Sequence, residues 1–234
     1  MARNATIDHV VYDGIHRAIL EQRLPPGTKL GEESLSSLFD VSRARVRRIL
    51  LRLAHDKSVK LRPNRGAYVA QPSAQDAREV FTARRIVEAH IVEWVAKGLP
   101  APARQRLERH VAREQAAHAR HDRPAAVRLS GEFHLLLAHI AGNRVLTWFL
   151  RELVAQTSLI MAVYERPGSS CCACDEHRAL LAAELEAGRV QDAVDLMTRH
   201  LQRIEGRLNL DRTPRTPVDL RDVFGKPPRN GLAS

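Results

Sequence analysis

The stretch Val41-Ser42-Arg43-Ala44-Arg45-Val46-Arg47-Arg48-Ile49-Leu50-Leu51-Arg52-Leu53 decides how the rest of the 234-residue chain is read. Val46, Ile49, Leu50 and Leu53 recur at helical spacing. Arg43 and Arg47, four residues apart, share a different face, with Arg45 and Arg48 beside them. Ser42 stands where an N-cap belongs. An arginine face suits a polyanion, because the planar guanidinium fork binds guanine O6 and N7 bidentately or clamps phosphate. Charge alone would equally describe a solvated basic face, so the neighbouring segments have to decide.

Before this helix, Ile7, Val10, Val11, Ile15, Ala18 and Ile19 predict a helix over 7–22, ended by Leu24-Pro25-Pro26-Gly27. Glu32 to Phe39, with Leu35 and Leu38 apolar, reads as a short second helix that stops at Asp40-Val41-Ser42. After it, Val59-Lys60-Leu61-Arg62 and Ala67-Tyr68-Val69-Ala70 alternate on either side of Pro63-Asn64-Arg65-Gly66, the composition of a hairpin turn. Helix, helix, helix, hairpin is the order of a winged helix-turn-helix, in which the helix after the turn offers its N-terminal residues to base edges in the major groove. This unit spans residues 1–72. Between 43 and 65, Arg43, Arg45, Arg47, Arg48, Arg52, Lys57, Lys60, Arg62 and Arg65 are opposed only by Asp56, and they dominate a net charge of +10. Nucleic acid is therefore favoured over an anionic membrane surface.

A break near Gln71-Pro72-Ser73 leads into a second domain, residues 76–209. Ala77, Val80, Arg84, Val87, Glu88, Ile91 and Trp94 lie on one face of its first helix, placing the pair Arg84 and Glu88 on a mostly apolar stripe. Either the two form an internal ion pair or Arg84 meets an anionic ligand. Helices follow over 103–120, 124–141, 144–164, 175–187 and 190–209, and no strand pattern appears among them. The fold class is thus mainly α: a winged helix-turn-helix with a small β-hairpin, then an all-helical bundle with a pocket among its helices. The 103–120 helix, with Arg104, Arg106, Arg109 and Arg113, reads as a solvated outer helix. His134, His177 and His200 each fall on the apolar stripe of a different helix, which is how a bundle assembles a metal site. Core histidines give the same pattern, so periodicity leaves both readings open. Residues 210–234 are polar and proline-rich and read as a flexible tail, although Val218, Leu220, Val223 and Phe224 form a small apolar patch.

No apolar run approaches the roughly 20 residues that span a bilayer, and the opening residues lack a basic-then-apolar secretion pattern. Cys171, Cys172 and Cys174 are clustered too closely for a disulfide framework across the fold. A soluble cytoplasmic protein with no membrane partner is expected.

The residues of the first domain, Leu24-Pro25-Pro26-Gly27-Thr28-Lys29-Leu30, Glu32-Glu33-Ser34-Leu35, Val41-Ser42-Arg43-Ala44-Arg45-Val46-Arg47 and Asn64-Arg65-Gly66-Ala67-Tyr68-Val69, resemble the DNA-binding domain of GntR-family transcription regulators. The resemblance implies DNA contacts from Ser42, Arg43, Arg45, Arg47 and Arg48 and from a wing tip at Asn64, Arg65 and Gly66. Arg45 stands where many relatives carry proline or a small residue. The second domain is similar to the FCD effector-binding domain of one GntR subfamily, through Arg84-Arg85-Ile86-Val87-Glu88, Phe133-His134, Ala141-Gly142-Asn143, Glu176-His177 and Met197-Thr198-Arg199-His200-Leu201. That likeness implies a homodimer on a pseudo-palindromic operator, repression relieved by a small effector, and a divalent metal such as zinc or nickel held by His134, His177 and His200. The family's fourth ligand, an aspartate, falls at Ser130, a weak neutral donor, and Cys174 is an alternative thiolate. Arg84, Glu88, Ser130, His134, His177 and His200, with Trp148 or Tyr164, would line a pocket for an organic acid or a planar nitrogen heterocycle. Two other readings remain. A metal hydrolase would use Glu176 or Glu184 as base, but it lacks a nucleophile motif or HExxH. An architectural DNA binder would show no sequence preference. The expectation is a regulator and not an enzyme.

Overall fold

The computed structural model describes residues 2–165, 174–180, 189–211 and 220–225. Its first part contains α1 (Ala2–Leu20), β1 (Lys29–Leu30), α2 (Glu32–Phe39), α3 (Arg43–His55), β2 (Val59–Arg62) and β3 (Gly66–Val69). The expected hairpin is present, with Val59 opposite Val69 and Arg62 opposite Gly66. A third strand joins it: β1 pairs antiparallel with β3 through Lys29 and Tyr68 and gives the order β1-β3-β2. Two residues are too short to display an alternating period, so this strand was not legible in the sequence. Asp40 ends α2 in the left-handed region at φ 51°, which short polar side chains tolerate, and the chain turns into α3. Ser42 caps α3, its Oγ accepting the Arg45 backbone N–H at 3.3 Å. Ile15, Ile19, Leu30, Leu35, Val46, Leu50 and Leu53 close the core of this head.

The second part holds α4 (Ala74–Ala96), α5 (Ala101–Ala119), α6 (Arg123–Ala141), α7 (Arg144–Tyr164), α8 (Cys174–Ala179), α9 (Val190–Gly206) and α10 (Leu220–Phe224). Ser73 and Asp76 form a reciprocal capping box that starts α4 at the expected domain break. α4 runs against α9, α7 and α6, and α5 pairs with α6. Ile91, Leu107, Phe133, Leu137, Leu150, Met197 and Leu201 fill the centre. Each such burial contributes about 1.5–3 kcal/mol. α7 is long and apolar enough to cross a membrane by length and composition, contrary to the expectation that no run approached that limit. In the fold it packs against α4, α6 and α1.

Two further expectations are corrected. α5 is not a solvated outer helix, since Leu107, His110, Val111, Glu114 and Ala117 are buried while its arginines cover the other side. The segment expected to be a flexible tail contains α10, whose Leu220 is buried in the head's own core. Phe224 meets Phe39 of α2 edge to face at 5.1 Å between ring centroids, and Arg23 Nη1 donates to the Val223 carbonyl at 3.2 Å. The apolar patch read at Leu220, Val223 and Phe224 is what docks; Val218 and the other residues of 212–219 and 226–234 lie outside the described residues, as do Cys171, Cys172, Glu184 and the remainder of the 175–187 helix beyond 180.

Head and bundle meet along α7. Leu159 belongs to the head's core cluster, and Gln22 Nε2 donates to the Ser158 carbonyl at 3.5 Å. Arg128 of α6 adds an ion pair to Glu21 at 3.3 Å.

Candidate functional site

Two sites take shape, an exposed arginine face on the head and a buried polar cluster in the bundle. On the head, Arg43 and Arg47 are exposed, as their spacing predicts. Both reach to the acidic start of α2. Arg43 Nη2 donates to Glu33 at 2.6 Å, and Arg47 binds Glu32 through Nε at 2.9 Å and Nη2 at 2.7 Å. The Arg47 hydrogen bond holds the Glu32 carboxyl below the usual range. In the sequence Glu32 and Glu33 belong to the start of the second helix and to the family resemblance; their role as partners follows from the packing of α2 on α3. Arg48 is exposed and lies 3.4 Å from Asp8 of α1. Arg45 is turned back from the face on which the sequence grouped it: its Nε lies 2.9 Å from Asp8, and it is only partly exposed. Its place in α3 points toward α1. Asn64, Arg65 and Gly66 are all exposed at the wing tip, with Asn64 at φ 58° and Gly66 at φ 92° making the tight turn.

The bundle cluster is built from five helices, α4, α5, α6, α8 and α9. Arg84 and Glu88, one turn apart on α4, are both buried and joined at 2.6 Å. Glu88 Oε2 lies 2.5 Å from Nδ1 of His134 on α6. Burial pushes the Glu88 carboxyl up, but Arg84 and His134 outweigh it and hold the group at about 2. Burial pushes the His134 imidazole down to about 3. The pair is thus carboxylate and neutral ring, with the Nδ1 hydrogen donated to Glu88. His177 on α8 faces Glu114 of α5 through Nδ1 at 2.9 Å, and His200 on α9 faces Glu176 through Nδ1 at 2.6 Å. Glu176 is also paired with Arg203. Burial pushes Glu114 up to about 7. His177 Nε2 lies 3.3 Å from His200 Nε2. One nitrogen from each of His134, His177 and His200 falls within 4.8 Å of the others. Three imidazoles converge, each with a carboxylate on Nδ1, which is the outer-shell pattern that orients histidine ligands around a metal. The three histidines found from periodicity are therefore brought together. Glu114 was missed, although Leu107, His110 or Val111, Glu114 and Ala117 recur at helical spacing; four arginines on the same helix masked the stripe.

Beside the histidines opens a pocket lined by Arg84, Ser130, Gly131, His134, Thr157, Ser158 and Arg207, among others. Arg84 gives Nε to Glu88 and Nη1 to Thr157 at 3.3 Å, while Nη2 is buried with no hydrogen-bond partner. Trp148 and Tyr164 do not line this pocket. Trp148 is exposed beside Tyr12, Arg52 and Arg151 at the head, and Tyr164 hydrogen-bonds the Pro72 carbonyl at 3.1 Å. Cys174 starts α8, but its side chain lies outside the described residues. Gly131 of α6 packs against α7: a Cβ added to it would meet Val154 Cγ1 at 2.9 Å. Gly131→Ala is accordingly expected to cost about 1–3 kcal/mol by overpacking, read as a lower denaturant midpoint with an unchanged slope.

The sequence matches the bacterial regulatory proteins of the gntR family over residues 8–69 and the FCD domain over residues 79–203. The chain belongs to the GntR family, in its FCD branch. It is similar to the HTH-type transcriptional repressor RspR of Escherichia coli K12, with 26% identity over 200 residues, 85% of this chain and 87% of the relative. A GntR regulator from Rhodococcus sp. RHA1 shares the fold with a TM-score of 0.74 at 23% identity, covering 88% of this chain and 97% of that one. McbR/YncC of E. coli also superposes with a TM-score of 0.74 at 18% identity, over 84% of this chain and 94% of its own. This GntR regulator is a DNA-binding transcription factor and not an enzyme. The hydrolase reading also loses its described base, because Glu176 is engaged by His200 and Arg203.

Proposed function

We propose that this GntR regulator is a cytoplasmic, homodimeric repressor that reads a pseudo-palindromic operator and releases it when an organic acid anion fills the pocket among α4, α6, α7 and α9. The observation that carries the effector reading is Arg84 Nη2, a buried guanidinium N–H with no partner on the wall of that pocket. Leaving such a donor unsatisfied costs about 1–3 kcal/mol or more, and a carboxylate satisfies it with a charge-assisted hydrogen bond. The Ser130 and Ser158 hydroxyls on the same wall can take the remaining polar atoms. Apart from the His134 ring, no aromatic side chain lines the pocket among the described residues, so a planar heterocycle would find little to stack on.

The histidine cluster fits a divalent metal. His134, His177 and His200 would hold it through the converging ring nitrogens, with Glu88, Glu114 and Glu176 fixing the rings. Zinc and nickel both favour neutral imidazole. When bound, such a metal supplies a Lewis-acidic anchor for the effector's carboxylate.

One head reads one half-site, which is the reason for a dimer. Communication runs through α7, which lines the pocket with Thr157 and Ser158 and places Leu159 in the head's core one residue later. A ligand that moves α7 therefore bears directly on the seat of the head, and the effector needs only to prefer one seating to shift DNA affinity. The name of the E. coli relative RspR, a transcriptional repressor, supports the sign.

The test is to select an operator from random duplexes and follow binding by anisotropy at fixed salt, with and without a panel of mono- and dicarboxylates. The expected result is a preference over random DNA of about a thousandfold or more, reduced about 5- to 150-fold by one acid, with Arg84→Ala losing the acid's effect. Equal affinity for all duplexes would instead establish an architectural binder. Operator preference that no carboxylate alters would exclude the organic acid.

A further inference from the structure

The histidine cluster has an unequal distribution of charge around it. Of the three carboxylates on its Nδ1 atoms, Glu88 is neutralised by Arg84 and Glu176 by Arg203. Among the described residues Glu114 has no arginine or lysine partner; its Oε2 meets His177, the Ser130 hydroxyl lies close to the carboxyl, and Oε1 is buried with no hydrogen-bond partner. It is 1% exposed, so water does not compensate it. A buried carboxylate costs several kcal/mol unless a cation or a proton answers it. The nearest set of unused donors is His134, His177 and His200, which offers nitrogen and no charge. A dication on three neutral imidazoles has the converse need, for negative charge close by. No carboxylate stands on α6 one turn before His134, where Ser130 faces the pocket.

We infer that Glu114, reached from α5, is the charge that makes the three histidines a divalent-cation site, acting through His177 and not as a direct ligand. This rests on the metal reading above and deepens it. Glu114 orients the His177 ring through Nδ1.

The test uses the full chain, freed of metal with a chelator and titrated with zinc against a chromophoric competitor, folding being checked by circular dichroism. The wild-type protein binds one zinc per chain. Glu114→Gln, which keeps size and removes charge, weakens zinc binding about 10- to 100-fold, and Glu114→Asp, which keeps the charge, weakens it less. In the Glu114→Gln background, Ser130→Asp restores affinity by returning a carboxylate to the site from α6. If Glu114→Gln alone fails to fold, the comparison of Glu114→Asp with the Ser130→Asp/Glu114→Gln chain decides. Affinity for zinc within twofold of wild type in Glu114→Gln overturns the inference, as does an equal loss in the Gln and Asp variants, or a double variant that folds without recovering zinc. A wild-type chain that takes up no zinc would overturn the metal reading itself, and is told apart because no variant is then needed.

Discussion

Arg47→Ala is expected to remove operator selectivity while leaving both domains folded. Arg47 is exposed on α3, and its only described bonds are to Glu32, so little of the fold depends on it. A bidentate arginine contact to a base is worth about 1–3 kcal/mol of discrimination. The proposed homodimer would make it twice, so the expected loss at a full operator is about 2–6 kcal/mol, roughly 30- to 20,000-fold in affinity. Binding to random duplex should fall much less, because Arg43, Arg48 and Arg65, all exposed, remain to meet the phosphate backbone in the proposed complex. Anisotropy with operator and scrambled duplex at one salt concentration gives the ratio directly. If the ratio stays at its wild-type value, α3 is not the element that reads the bases. Glu32→Gln bears on the same point from the other side. The bidentate grip of Glu32 fixes the Arg47 fork in the free protein, and releasing it should raise affinity for random DNA and lower the ratio.

Glu88→Ala is the substitution expected to damage the fold most. Glu88 is the common partner of Arg84 and His134, all three fully enclosed by α4, α6 and α7. Removing it leaves a guanidinium buried without its counter-ion, which typically costs about 3–5 kcal/mol. For a chain of this size that is a fall in melting temperature of roughly 6–20 °C. Glu88→Gln keeps the shape and should lose less. The same group sets part of the acid sensitivity. Its folded carboxyl sits at about 2, below its ordinary value of 4.5. The stability it contributes is therefore complete above pH 4.5 and is lost as pH falls toward 2. Urea midpoints measured from pH 6 down to 2.5 should decline steeply in the wild type and more shallowly in Glu88→Gln. A midpoint for Glu88→Ala close to wild type would mean that Arg84 finds solvent or another acceptor.

The head was legible because its signals are local. The spacing of Val46, Ile49, Leu50 and Leu53, the cap at Ser42 and the turn at Pro63-Asn64-Arg65-Gly66 each act within a few residues. The histidines were legible one helix at a time, since each lies on an inward stripe. What the sequence withheld is the pairing of elements distant along the chain. Nothing local says that Glu114 meets His177, that Glu32 meets Arg47, or that Trp148 faces away from the bundle pocket. Those facts depend on helix crossing angles, which a periodicity does not contain. α5 shows the cost most plainly, because a surface crowded with arginines hid a buried carboxylate on its other side.

The seat of α10 has a consequence for how the protein is made. Phe39 and the rest of α2 leave the ribosome early, and a helix-turn-helix of this kind can begin to condense at once on local contacts. Yet Leu220 lies in that head's core and Phe224 covers Phe39, and both are translated only after the whole of the bundle's α4 to α9. The head is thus finished only after the bundle that follows it has emerged, and a nascent chain halted before α10 carries an uncovered apolar face on the helix that flanks the DNA reader.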